Sequence, residues 1–270
     1  MRDFTLYTFK QLLLAFKNQN YIFLTFSGFL REPVPKCVIL RHDVDARKLN
    51  SLNCAMLEKE LDITGTYYFR LTPRCFNPQI IKEISELGHE VGYHYEDLVT
   101  AHGNYNLARK LFEENLAKLR RVVPVETICM HGSPLSKYDN RRLWEKFNYR
   151  DYGIIGEPFL DINFENVLYL TDTGRRWDGD RVSIRDKVKI KGQKAKVVEL
   201  MFRYEGQRAG RSFHSTFDII EAANEDQLPD KIMLTIHPQR WDNRQLPWIR
   251  ELVCQNIKNI GKRILISRSR

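Results

Sequence analysis

The sequence predicts an α/β fold in which parallel strands form a barrel and carry a site at their carboxyl ends. Three observations lead there. Strand-like apolar runs alternate with helix-like stretches over the first two-thirds of the 270 residues, which implies parallel strands joined by right-handed crossovers. Four of the runs end in Asp or His: Cys37-Val-Ile-Leu-Arg-His-Asp-Val-Asp45, Gly88-His-Glu-Val-Gly-Tyr-His94, Thr127-Ile-Cys-Met-His131 and Lys231-Ile-Met-Leu-Thr-Ile-His237. In the last run Ile232, Leu234 and Ile236 oppose His237, and in the third Ile128 and Met130 oppose His131. A parallel barrel packs its outer strand faces on helices and gathers active-site residues at strand carboxyl ends.

The elements follow in order. Before Cys37 the chain reads as a short helix followed by a strand around residues 21–26. After Asp45, Leu49, Leu52, Met56, Leu57 and Leu61 have helical spacing. Residues 66–70 read as a strand. Pro78 opens a helix through Ile80, Ile81, Ile84 and Leu87, with Gly88 at its C′ position. A helix over 105–122 carries Leu107, Leu111, Leu116 and Leu119 and stops at Pro124, and another is expected over 141–147. Gly92, Gly132 and Pro238 read as turn formers bounding strands. Helices over 217–224 and 247–261 flank the last strand. The whole chain, 1–270, reads as one domain, with a basic inserted segment near 170–210. Within that insert, residues 181–196 alternate cations with aliphatics. That pattern suits either an anion clamp or a lysine-protected edge strand.

Net charge is +9 and 43% of residues are apolar. The apolar share excludes a disordered chain. The charge favours anionic partners. No interleaved aromatic and basic motif supports nucleic-acid binding. The five cysteines have no paired spacing, so a reducing compartment is expected. No secretory signal or transmembrane span is read, and a cytoplasmic location is the expectation.

The chemistry is read from the strand ends. Asp43 and Asp45 share a strand face and aim at one point. The plainer alternative is that they cap the next helix or pair with Arg47 or Lys48. Divalent metals such as zinc take imidazole nitrogen and carboxylate oxygen, and a catalytic site keeps a position open. Asp45, His94 and His131 are the candidate ligands. Asp43 is the candidate base and His237 the candidate acid, the division that amide or ester hydrolysis needs. Arg41 shares a face with Asp43 and can orient it. His42 and His89 read as structural. Arg41, Glu96, Arg175, Trp177, His214, Arg240 and Trp241 are candidates for substrate contact, the two tryptophans by stacking on a sugar ring or by packing the rim.

Asp43-Val-Asp45, Gly88–His94 and Ile236-His237-Pro238 resemble the NodB-homology polysaccharide deacetylases, carbohydrate esterase family four, over roughly residues 37–240. The resemblance implies a distorted (β/α)7 barrel. It also implies removal of an acetyl group from a sugar by a divalent metal, usually zinc, held by Asp-His-His. In that family the two acids of the first motif are adjacent; here Val44 separates them. The second motif pairs two histidines four residues apart; here His94 is followed four residues on by Leu98. His131, in Met130-His-Gly-Ser-Pro134, is taken as the missing ligand, with Glu96 and His102 in reserve. The substrate expected is an acetylated sugar, nucleotide- or lipid-linked, in surface-polysaccharide metabolism. The alternatives are a barrel relative that only binds, or another C–N amide hydrolase.

Overall fold

A computed structural model describes residues 1–177, 189–190, 193–194 and 213–268. Its strands are β1 (Ile22–Leu24), β2 (Cys37–Val44), β3 (Thr66–Phe69), β4 (Glu90–Tyr95), β5 (Ile128–Met130), β6 (Leu168–Thr171), a two-residue ribbon β7 (Lys189–Ile190) and β8 (Gln193–Lys194), and β9 (Lys231–Ile236). Its helices are α1 (Leu6–Asn18), α2 (Phe26–Arg31), α3 (Lys48–Glu60), α4 (Pro78–Glu86), α5 (Asp97–Thr100), α6 (Tyr105–Arg120), α7 (Pro158–Asp161), α8 (Thr216–Asn224) and α9 (Gln245–Arg268). The main sheet has seven strands in the order β5-β4-β3-β2-β9-β6, with β1 beside the first half of β2. Every pairing in it is parallel.

Side-chain alternation divides the sheet into two faces. Val38, Leu40, Ile128, Met130, Ile232, Leu234 and Ile236 pack outward with helix residues such as Phe16, Ile81 and Leu116. Ile39, Tyr68, Cys129, Tyr169 and Met233 form a separate inner cluster drawn from five strands. A sheet with two covered faces must be apolar on both, and all eight residues of β2 are buried. The sheet is also strongly curled. β5 and β9 stand four strand spacings apart, about 19 Å in a flat sheet, yet His131 and His237 at their ends both reach Asp45. The α/β class and the curled parallel sheet agree with expectation. Among the described residues the curl stops at a half-barrel: β5 and β6 are not paired, and Thr127–Gly156 is the bridge found beyond β5.

Local signals explain the helix starts. Asn77 accepts from the Ile80 N–H ahead of Pro78, and Gly88 closes α4 at φ 99°. Ser215 and Asp218 form a capping box on α8. Several expectations are corrected. Residues 141–147 form a 3₁₀ turn, Asn140–Glu145, instead of an α-helix. The strand before Cys37 is confined to Ile22–Leu24; Thr25 then caps α2 by accepting from Gly28 N–H. β6 was not anticipated, and α9 begins at Gln245 and runs to Arg268. The basic stretch 181–196, apart from the ribbon, lies outside the described residues. All five cysteines are free. No helix among the described residues is long and apolar enough to cross a membrane.

Gly92 is a further correction, because it lies inside β4 instead of bounding it. An added Cβ would stand 2.3 Å from Tyr68 Cε1 and 2.9 Å from the Thr127 carbonyl oxygen. The missing side chain makes room for the Tyr68 ring in the inner cluster. Gly92→Ala is expected to destabilise the fold by about 1–3 kcal/mol through overpacking, read as a lower denaturant midpoint. An unchanged midpoint would show that the Tyr68 ring moves aside at no cost.

Candidate active site

The strand ends meet at Asp45, one residue beyond β2. Its Oδ1 lies 3.6 Å from His94 Nε2 and 3.6 Å from His131 Nε2, and its Oδ2 lies 3.9 Å from His237 Nε2. None of these separations is a hydrogen bond. Asp45 Oδ1 is buried and has no hydrogen-bond partner. A buried carboxylate oxygen without a donor is costly unless something cationic satisfies it. Two donors of a tetrahedral zinc stand about 3.4 Å apart, close to the 3.6 Å found here. The donor types suit a divalent metal, and Asp45 Oδ1 stands near this spacing from each of two imidazole nitrogens.

The outer contacts leave each Nε2 free for that use. His94 Nδ1 bonds the Cys129 carbonyl at 2.9 Å. His131 Nδ1 contacts Glu96 Oε2 at 3.1 Å and Ser133 Oγ at 3.0 Å. His237 Nδ1 lies 2.5 Å from Asp172 Oδ1. When Nδ1 carries the proton, Nε2 keeps its lone pair. Burial lowers the His94 pKa to about 4, against the pull of Asp43 and Asp45, so this imidazole is neutral near pH 7. Burial also opposes charge on His131, but Asp45 and Glu96 outweigh it and raise its pKa.

Asp43 is the second carboxylate. Arg41 Nε donates to Oδ1 at 2.8 Å and an Arg41 terminal nitrogen to Oδ2 at 2.6 Å. Burial alone would raise Asp43; Arg41, together with His94, overrides it and holds the carboxylate well below its ordinary range. Asp43, His94 and Cys129 also form a three-donor group, with one ligand atom each within 4.8 Å of the others. Arg41 already occupies both oxygens of Asp43, whereas Asp45 Oδ1 has no donor, so the Asp45 set is the freer one.

Asp172 and Arg70 were not singled out from the sequence. Asp172 follows β6 and is fully buried. It accepts from His237 N–H at 3.0 Å, Arg240 at 2.5 Å and Trp241 Nε1 at 2.8 Å. Arg70 follows β3 and clasps Glu96 through both carboxylate oxygens at 2.7 Å. Burial opposes ionisation of Glu96, but His131 and Arg70 bring its pKa down to about 2. Both residues carry the signal already used, a charged residue at the end of an apolar run.

The proposed substrate contacts divide differently from expectation. Arg41 is 1% exposed and is committed to Asp43. Glu96 holds His131. Arg240 borders the cleft but gives one nitrogen to Asp172. Trp241 is fully buried against Phe4 and Phe9, and Trp177, 2% exposed, donates to Thr216 Oγ1. Neither ring can stack on a sugar. Arg175 lies over Phe4 and Trp248. His214 is exposed, and its backbone N–H donates to Asp218 at the start of α8. His42 stacks on Tyr67 at 4.0 Å on the far face of β2, and His89 bonds Ala55 and Gly65, so both are structural. His102 stands in a left-handed turn after α5. The cleft itself is a cavity of about 580 Å³ bordered by Asp43, Asp45, His94, His131, His237 and Arg70.

No protein-family model matches the chain, and no curated protein matches it. Solved structures are similar to it over most of its length. The Xyl-CE4 domain of a multidomain xylanase from the hindgut metagenome of Trinervitermes trinervoides aligns at 10% identity and TM-score 0.42, covering 84% of this chain and 85% of that one. A Streptococcus mutans CE4 esterase aligns at 10% identity and TM-score 0.42, covering 91% and 90%. A CE4 family pseudoenzyme from Bacillus anthracis aligns at 14% identity and TM-score 0.41, covering 86% and 63%.

Proposed function

We propose that this chain is a metal-dependent hydrolase that removes an acetyl group from an acetylated sugar, one carried on a nucleotide or lipid in surface-polysaccharide metabolism. The observation that supports it most is the buried, donor-less Asp45 Oδ1 facing two imidazole Nε2 atoms at 3.6 Å, with a separately neutralised carboxylate beside it. Asp45, His94 and His131 would hold the metal, and two imidazoles with one carboxylate are donors that zinc takes. When bound, it polarises the acetyl carbonyl and favours ionisation of water. Asp43, kept ionised by Arg41, accepts the proton of the attacking water. His237 acts in its doubly protonated form: with Nδ1–H held by Asp172, it delivers its Nε2 proton to the departing amine or hydroxyl and is left as the neutral ring. Arg70 and Glu96 fix His131. Acetate release from acetylated monosaccharides and their phosphate-linked forms tests the reading. No release from any of them, by metal-loaded protein, would leave a protein that only binds.

Arg41 gives this assignment a pH signature. Replacing it by Gln removes the cation that offsets burial, so the Asp43 pKa rises. The base works only when ionised, and the acidic limb of the kcat/KM profile should therefore move to higher pH in Arg41→Gln. An acidic limb that stays in place, in a variant shown to be folded, would mean that Asp43 is not the group whose protonation limits the rate.

A further inference from the structure

A second cavity, of about 510 Å³, adjoins the cleft and shares Arg47 and Arg74 with it. Five cations border it, Arg47, Lys48, Arg74, Arg244 and Arg250, and no carboxylate does. Asp242 pairs with Arg244 and Glu251 with Arg47. Lys48 Nζ bonds the carbonyls of Pro73 and Phe76. Among the described residues no carboxylate pairs with Lys48, Arg74 or Arg250, and Arg74 and Arg250 are exposed. Arg47, at the junction of the two cavities, stands in the left-handed region at φ 49°. The first turns of α3 and α9 supply much of the lining, and their dipoles add the same sign.

Concentrated positive charge in a concave site selects anions with several oxygens, because arginine pairs with phosphate through paired hydrogen bonds. We infer that this cavity binds the diphosphate of the substrate while the acetylated sugar lies in the adjoining cleft. The substrate half of this inference rests on the hydrolase reading; the anion site does not. The diphosphate can belong to a nucleotide-linked or a lipid-linked sugar, and both present the same group to the arginines.

Inorganic pyrophosphate, titrated by calorimetry, tests the site without turnover. Saturable binding to the intact chain, weakened about tenfold or more in Arg74→Ala/Arg250→Ala, is the expected result. Two controls bear on it. Lys110→Ala/Arg121→Ala removes the same charge on α6 and at its end, and should bind as the parent does. Asp45→Asn should also bind as the parent does, because Asp45 belongs to the cleft. No binding by the parent, equal loss in the α6 pair, or loss in Asp45→Asn would each overturn the site. A uridine-diphosphate-linked acetylated sugar and a short-chain polyprenyl-diphosphate-linked one are then competed against pyrophosphate. The one that displaces it identifies the source, and failure of both would overturn the substrate assignment. If acetate is never released yet pyrophosphate binding keeps this pattern, the hydrolase reading fails and the anion site stands.

Discussion

Asp45→Asn is expected to fold, to lose stoichiometric divalent metal, and to release acetate roughly 10³-fold more slowly, the several kcal/mol that a metal contributes to stabilising developing charge. The fold should survive because Asp45 lies past the last residue of β2 and its side chain makes no hydrogen bond that an amide would break. The metal should be lost because Asp45 is the carboxylate common to all three imidazoles. Burial disfavours its ionisation, yet His131, His94 and His237 together lower its pKa, so the pocket is organised around a negative charge there. Neutralising it leaves two imidazoles facing an amide. Metal content by elemental analysis, with circular dichroism as the check on folding, reads the outcome. The overlapping set predicts differently. If Asp43, His94 and Cys129 held the ion, Cys129→Ala would strip it and Asp45→Asn would not. Full metal retention in Asp45→Asn would therefore transfer the centre to that set.

The strand ends were legible because a buried parallel strand leaves few polar positions, and those at its carboxyl end face the barrel mouth. Facial alternation placed Ile232, Leu234 and Ile236 against helices and turned His237 inward, as the structure has it. It did the same for Ile128 and Met130 against Cys129. Asp172 gives a weaker signal because β6 is only four residues long and a cation-rich stretch follows it. The two tryptophans stayed open between stacking and packing, and the fold packs both. An aromatic ring two to four residues from a site residue can face cleft or core, and only tertiary packing decides. Trp241 turns its Nε1 to Asp172 and its ring to Phe4 and Phe9, which no local pattern specifies. Residues 141–147 carry helical spacing, but Asp139 caps only a 3₁₀ turn there, and Asn140 is held by bonds to His131 and Val99. Tertiary anchoring overrode a weak local preference.

Asp43→Asn and His237→Ala should separate the two proton transfers from metal binding. Both variants are expected to keep the metal, because Arg41 already occupies Asp43, and His237 faces Asp45 Oδ2 instead of the shared Oδ1. Each should lose turnover by about 10²–10⁴-fold, the usual cost of removing a positioned acid or base. The leaving group distinguishes them. Attack by water needs a base whatever departs, so Asp43→Asn should slow an N-acetylated sugar and an activated aryl acetate alike. Protonation of the leaving group matters for an amine and hardly at all for a phenolate that leaves unaided. His237→Ala should therefore lose most of its activity on the N-acetyl substrate and little on the aryl ester. Asp172→Asn should follow His237→Ala in this selectivity, because Asp172 acts by holding Nδ1 at 2.5 Å and so fixes which nitrogen faces the substrate. The measurement is acetate release from both substrates in all three variants, each at full metal occupancy. An aryl ester slowed as strongly as the amide in His237→Ala would remove His237 from the role of acid and place it among the groups that assist the attack.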